Sequence, residues 1–187
     1  MSNLILVRHS LPEIKPNKPA SQWHLSDLGR FRCKELALQL KVYSPQEIVS
    51  STEPKAQETA QIVASHLGLV VHSIEGLHEH ERSNYQWMSQ ELFEKHVAEF
   101  FRAPLKIVMG DETAEQAYRR FSDAVERLVE KYPEENVAII SHGVVITLYI
   151  TQHLRFTAFP FWKRLGFPSY VVLSLPELKL DKVKFSL

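Results

Sequence analysis

Two histidines far apart in the chain, His9 and His142, each follow an apolar run: Leu4-Ile5-Leu6-Val7-Arg8-His9 and Val137-Ala138-Ile139-Ile140-Ser141-His142. Short continuous runs of this kind, rich in β-branched residues, read as strands buried on both faces, as in parallel sheets. Parallel strands aim their carboxyl ends the same way, and ligands of open α/β sheets bind beyond those ends. The two imidazoles are therefore expected in one crevice. A third run, Glu47-Ile48-Val49-Ser50-Ser51, leads into a helix starting near Thr52 to Lys55, which brings free backbone N–H groups and a lysine to the same edge. Arg8, Lys55, His9 and His142 would together attract an anion.

The chemistry that suits such a crevice is phosphoryl transfer. A neutral imidazole nitrogen can attack phosphorus, and cationic donors stabilise the charge spread over the equatorial oxygens. Loss of an alkoxide also needs an acid, for which Glu79 in the segment His78-Glu79-His80-Glu81 is the nearest candidate. The same segment admits a metal reading, since alternate residues share a face when the chain is extended. It lacks the His-Glu-x-x-His spacing, because Arg82 stands where a second helical ligand would fall.

The elements that must position these groups alternate strand with helix. Ser26 caps a helix running to about residue 41 with Leu28, Phe31, Leu36, Leu38 and Leu40 as its apolar positions. Pro54 opens a second helix that Gly68 stops, and residues 69–73 form a third strand. Thr113 and Gln116 make a capping box for an amphipathic helix ending before Pro133, and His142-Gly143 opens a helix to about residue 154. Residues 170–175 and 178–185 close the chain as a hairpin. Residues 76–112, with the aromatics Tyr85 and Trp87, leave this rhythm as an excursion or cap. The expected fold is α/β, a three-layer α/β/α sandwich on a mostly parallel central sheet, in one domain spanning 1–187.

Composition limits the rest. The 187 residues hold 22 Lys+Arg and 22 Asp+Glu, so there is no basic surplus of the kind that nucleic-acid or anionic-membrane binding demands. No apolar run approaches the ~20 residues of a membrane span. Cys33 has no partner for a disulfide, and Met1-Ser2-Asn3 leads into a strand without a secretory pattern, so a cytoplasmic location is expected.

These features resemble one family. Leu6-Val7-Arg8-His9, Ser50-Ser51 with Lys55-Ala56 and Thr59-Ala60, Leu77-His78-Glu79, Gly110-Asp111-Glu112-Thr113 with Arg119 or Arg120, and Ser141-His142-Gly143 stand in the order seen in the histidine phosphatase superfamily, the phosphoglycerate mutase-like family. The resemblance implies that His9 is the nucleophile and Glu79 the acid and then base. It also implies that Arg8 and His142 hold the phosphoryl group of a small phosphorylated substrate, with no metal and no other cofactor; Lys55, Gly143 and Ser10 around them are expected as further phosphate-binding residues. Ser10 stands where the family usually has glycine, and Lys55 where it has arginine, which loses the planar bidentate fork. The Gly-x-Trp-Glu-Gly pattern of many members is replaced by Asn84-Tyr85-Gln86-Trp87-Met88, and the mutase continuation after the first histidine is absent. Hydrolysis of a small phosphomonoester is thus expected ahead of mutase chemistry or simple phosphate-ligand binding.

Overall fold

Side-chain alternation in the first strand shows how the sheet divides the molecule. In β1 (Asn3–Arg8) Leu4 and Leu6 enter one core, and Ile5 and Val7 enter another on the opposite face. All four are fully buried, and each contributes on the order of 2 kcal/mol of hydrophobic stabilisation. The computed structural model describes residues 2–83 and 87–187; Asn84, Tyr85 and Gln86, within the segment that replaces the family's tryptophan pattern, lie outside them.

The helices fall into two layers around this sheet. Helices α1 (Asp27–Lys41) and α2 (Pro54–Leu67) cover the Ile5 and Val7 face, together with residues of β2 (Glu47–Ser50) and β4 (Val137–Ser141). The other face carries α3 (Gln90–Arg102), α4 (Ala114–Lys131), α5 (Gly143–His153) and α6 (Ala158–Arg164). With β3 (Val71–Ser73), β5 (Ser169–Ser174) and β6 (Lys179–Lys184) the sheet reads β3-β2-β4-β1-β5-β6. The first four strands are parallel, and β5 and β6 add an antiparallel edge. The expected three-layer sandwich is present, with the closing hairpin as its edge.

Local signals set most helix ends. The Ser26 side chain accepts from Gly29 N–H, Gly68 ends α2 in the left-handed region, and Thr113 with Gln116 forms the reciprocal capping box of α4. Such caps contribute about 1 kcal/mol each. Three details differ from expectation. Helix α1 buries Gly29, Cys33, Leu36, Ala37 and Leu40, which leaves Leu28, Phe31 and Leu38 exposed; small residues let the helix lie close to its neighbours, and Gly29 is needed because a Cβ there would meet the Leu11 carbonyl oxygen at 2.1 Å. The third strand begins at Val71, since the turn at Gly68 leaves Val70 outside the sheet and exposed. Helix α6 has no counterpart in the sequence reading; its seven residues are too few to show a 3.6 period. No helix among the described residues is long and apolar enough to cross a membrane.

Candidate active site

Strand register brings the two histidines together. Strands β1 and β4 pair in parallel with Arg8 opposite Ser141, and His9 N–H extends the ladder by donating to the Ser141 carbonyl at 2.9 Å. His9 and His142 therefore follow side by side, their rings 5.1 Å apart and inclined at 62°. Strand β2 brings Ser51 to the same edge, its N–H bonded to the Ile140 carbonyl. The Ser51 hydroxyl lies 2.8 Å from His142 Nε2.

Hydrogen bonding fixes the state of His9. Its Nδ1 lies 2.7 Å from the carbonyl oxygen of Ser10. A carbonyl only accepts, so in the neutral ring Nδ1 carries the proton and Nε2 keeps a lone pair. Burial pushes the His9 pKa well below its ordinary value, and the charges of His142, Lys55 and Arg8 push it the same way. His142 is lowered as well, first by burial and then by Lys55. Both imidazoles are neutral at pH 7, and a neutral His9 is the form with an in-plane lone pair to donate.

The cation beside them is Arg8. Its Nη1 donates to the Leu165 carbonyl and its guanidinium lies over the Phe167 ring, 3.6 Å from the centroid. Burial lowers its pKa to about 10, partly offset by Glu79, so it stays charged at neutral pH. Arg8 Nε and His142 Nδ1 are both buried without a hydrogen-bond partner among the described residues. A buried, unsatisfied donor on a charged group carries a large desolvation penalty, which an anion in the crevice would relieve. Gly143, first residue of α5, makes this packing possible, because a Cβ there would stand 2.9 Å from the Arg8 guanidinium.

Glu79 reaches the crevice from the excursion. Its carboxylate oxygens accept from Val144 N–H at 3.1 Å and Val145 N–H at 3.3 Å, at the amino terminus of α5. The backbone on either side is held by Arg120, which donates to the carbonyls of Gly76, His78 and Glu79 and pairs with Glu112 at 2.6 Å. Glu112 in turn accepts from Glu81 N–H. The structure thus decides between the two arginines: Arg120 is the one that braces the loop, while Arg119 pairs with Glu115 at the surface.

Two expected phosphate ligands are placed differently. The Ser10 hydroxyl is buried and donates to the Gly29 carbonyl at 2.8 Å, and Ser10 N–H donates to Thr59 Oγ1. Its side chain fills the packing behind the crevice, so its hydroxyl is not free for an anion. Lys55 lies near both histidines but donates to the Ala20 carbonyl at 2.7 Å and is ion-paired with Glu53. The short spacing between Glu53 and Lys55 across the helix start makes that contact possible.

Glu53 has no place in the sequence reading. One oxygen accepts from Glu79 N–H at 2.8 Å and lies 3.6 Å from His142 Nε2, and the other pairs with Lys55. The available signal was an acidic residue directly before Pro54, at the amino terminus of a helix beside the crevice. Phe167 and Leu165 were missed too, because they come from the chain between α6 and β5, which carries no recognisable spacing. As for the metal reading, His78 pairs with Glu81 and Glu79 turns to α5. Among the described residues no group of three or more His, Cys, Asp or Glu side chains is placed to hold an ion.

A mostly parallel sheet between helical layers, with paired histidines and an arginine at the carboxyl ends of its parallel strands, defines the class. Residues 4–184 match the histidine phosphatase superfamily (branch 1), and the chain belongs to that superfamily. It is 27% identical over 157 residues to phosphoglycerate mutase-like protein 4 of Arabidopsis thaliana, covering 78% of this chain and 68% of that protein. It is 26% identical over 128 residues to the uncharacterized phosphatase PhoE of Bacillus subtilis (strain 168), covering 68% and 63% respectively. Among solved structures, the mycobacterial glucosyl-3-phosphoglycerate phosphatase shares the fold over 100% of this chain and 99% of its own, with a TM-score of 0.78 at 19% identity.

Proposed function

We propose that this protein hydrolyses a small phosphomonoester through a phosphohistidine on His9, without a metal. The observation that carries the reading is the bond from His9 Nδ1 to the Ser10 carbonyl, which leaves Nε2 with its lone pair beside the unpartnered Arg8 Nε and His142 Nδ1. In the first step Nε2 attacks phosphorus in line, the bond to the leaving oxygen breaks, and Glu79 gives that oxygen its proton. Arg8 and His142 hold the equatorial oxygens. In the second step Glu79, now a carboxylate, takes a proton from water as that water attacks the phosphohistidine. The P–N bond breaks, phosphate leaves, and His9 recovers its lone pair. Lys55 helps through its charge rather than by direct contact while Glu53 holds it.

The excursion at about 76–112 acts in this reading as a cap on one domain, supplying the acid. A reducing compartment, the cytoplasm, suits the single buried Cys33. The test is turnover of p-nitrophenyl phosphate in EDTA, with an acid-labile, base-stable phosphoenzyme trapped by rapid quench. His9→Ala is expected to remove both the phosphoenzyme and at least a thousandfold of the rate. An unchanged rate in that variant sinks the mechanism. Product analysis with 3-phosphoglycerate separates hydrolysis from mutase transfer.

A further inference from the structure

Beyond the phosphoryl crevice lies an open cleft of about 410 Å³, and its charge is opposite in sign. Glu53 and Glu79 stand in its wall and are also part of the crevice, so the leaving group of a bound phosphomonoester would extend into it. Glu75, Glu81 and Asp111 also line it, which makes five carboxylates against one guanidinium, Arg82. That guanidinium is drawn toward the Phe93 ring, 5.1 Å from its centroid. Of the cations on neighbouring elements, Lys55 is paired with Glu53, and Arg120 is committed to Glu112 and to backbone carbonyls. His78 faces Glu81. Glu75 has no ion-pair partner among the described residues.

A second feature of the wall points to a ligand. His80 lines the cleft and is only 3% exposed, yet neither ring nitrogen has a hydrogen-bond partner among the described residues. Its ring is fixed against Phe100, with centroids 4.0 Å apart. Burial and then the Arg82 charge lower its pKa to about 4, against a weaker pull from Glu112, so at neutral pH the ring offers an acceptor nitrogen. An acceptor left unsatisfied in a buried wall is costly unless a donor arrives.

From this juxtaposition of a cationic crevice and an acidic cleft sharing Glu53 and Glu79, we propose that the preferred substrates are phosphate monoesters of amino alcohols, whose ammonium group enters the cleft. The proposal rests on the phosphatase reading above. It follows that a carboxylate on the leaving group, as in 3-phosphoglycerate, is disfavoured by like charge, and a neutral alkyl group falls between the two.

The test compares three ligands of similar size: O-phosphoethanolamine, n-propyl phosphate and 3-phosphoglycerate. Titration calorimetry of the His9→Ala protein measures binding without turnover, and kcat/KM of the unaltered protein measures the same order in catalysis. Phosphoethanolamine is expected to bind at least tenfold tighter than n-propyl phosphate and at least a hundredfold tighter than 3-phosphoglycerate, with both ratios shrinking as salt rises. In Glu75→Lys/Glu81→Lys the order should move toward 3-phosphoglycerate by tenfold or more. Being a ratio within one protein, this shift does not depend on the yield of folded material. Equal affinities, tighter binding of 3-phosphoglycerate, or an order indifferent to the charge reversal would overturn the proposal. Absence of p-nitrophenyl phosphate turnover alongside the expected binding order would instead refute the phosphatase reading and leave the selectivity standing.

Discussion

The crevice and the cleft beside it are built by different means. His9, His142 and Ser51 stand at strand ends whose positions are fixed by backbone pairing, with Arg8 opposite Ser141 and Ser50 opposite Ile140. The cleft wall at residues 75–83 and 111 is loop, held largely by side chains, Arg120 to three carbonyls and Glu112 to Glu81 N–H, with one backbone bond from Asp111 N–H to the Glu81 carbonyl. Ladder pairing is shared among many bonds, so no single side chain decides where the histidines lie. The Arg120–Glu112 pair links more of the loop's bonds than any other contact. In the proposed mechanism the groups that attack and hold the phosphoryl group sit on the rigid part, and those proposed to meet the leaving group sit on the part that sequence change can reshape. Glu79 belongs to both, since its backbone is braced by Arg120 while its carboxylate docks on α5.

Three experiments would break or sharpen that contrast. The largest effect is expected from Arg8→Ala, which removes the buried cation from the crevice and leaves the backbone pairing of β1 in place. A loss of about 10²–10³ in kcat is expected, as for removal of one transition-state donor, with the phosphoenzyme still detectable by quench. A rate within threefold of the unaltered protein would show that Arg8 is not a phosphoryl ligand.

Arg120→Ala tests the loop. Removing one partner of a largely buried pair leaves Glu112 uncompensated, so a stability loss of about 3 kcal/mol is expected in urea unfolding. Activity should fall roughly tenfold through misplacement of Glu79, with the effect in kcat rather than KM. The same change at Arg119, whose partner Glu115 lies at the surface, should shift stability by less than about 1 kcal/mol. Equal effects at the two positions would mean that the loop is held by something other than Arg120.

The third effect is the dependence of stability on pH. His9, His142 and His80 are all depressed below the ordinary 6.5, His80 to about 4. In the window from pH 6.5 downward the unfolded chain binds protons that the folded chain refuses. The stability these neutral rings contribute is fully present above 6.5 and is lost as pH falls toward their folded values, by up to about 1.4 kcal/mol per pH unit for each ring. Urea midpoints at pH 7, 6 and 5 measure the slope. Inorganic phosphate, by favouring charged histidines in the crevice, should remove the crevice's share, and His80→Phe should remove the cleft's. A midpoint flat from pH 7 to 5 would contradict the burial of all three.

Much of this arrangement is legible along the chain. Two apolar runs ending in histidine, a proline at a helix start, a capping box and a glycine stop are local signals, and each corresponds to an observed strand, cap or end. The departures come from packing between elements. The stripe of α1 is displaced by the close packing of Gly29, Cys33 and Ala37, which periodicity of large residues cannot register. The orientation of Ser10 follows from the Gly29 carbonyl and Thr59, which lie on two other elements.

The sequence alone determined which residues end the strands, that the sheet is largely parallel, and hence that His9, His142 and Arg8 share an edge, because periodicity and strand polarity are local properties. Tertiary structure alone decided that Lys55 reaches the Ala20 carbonyl, that Arg120 rather than Arg119 braces Glu79, that Phe167 backs the Arg8 guanidinium, and that acidic loops converge beyond the crevice. Each of these depends on contacts between elements distant in the chain. Their geometry is set when helices and loops close on the sheet, and no spacing along the sequence records it.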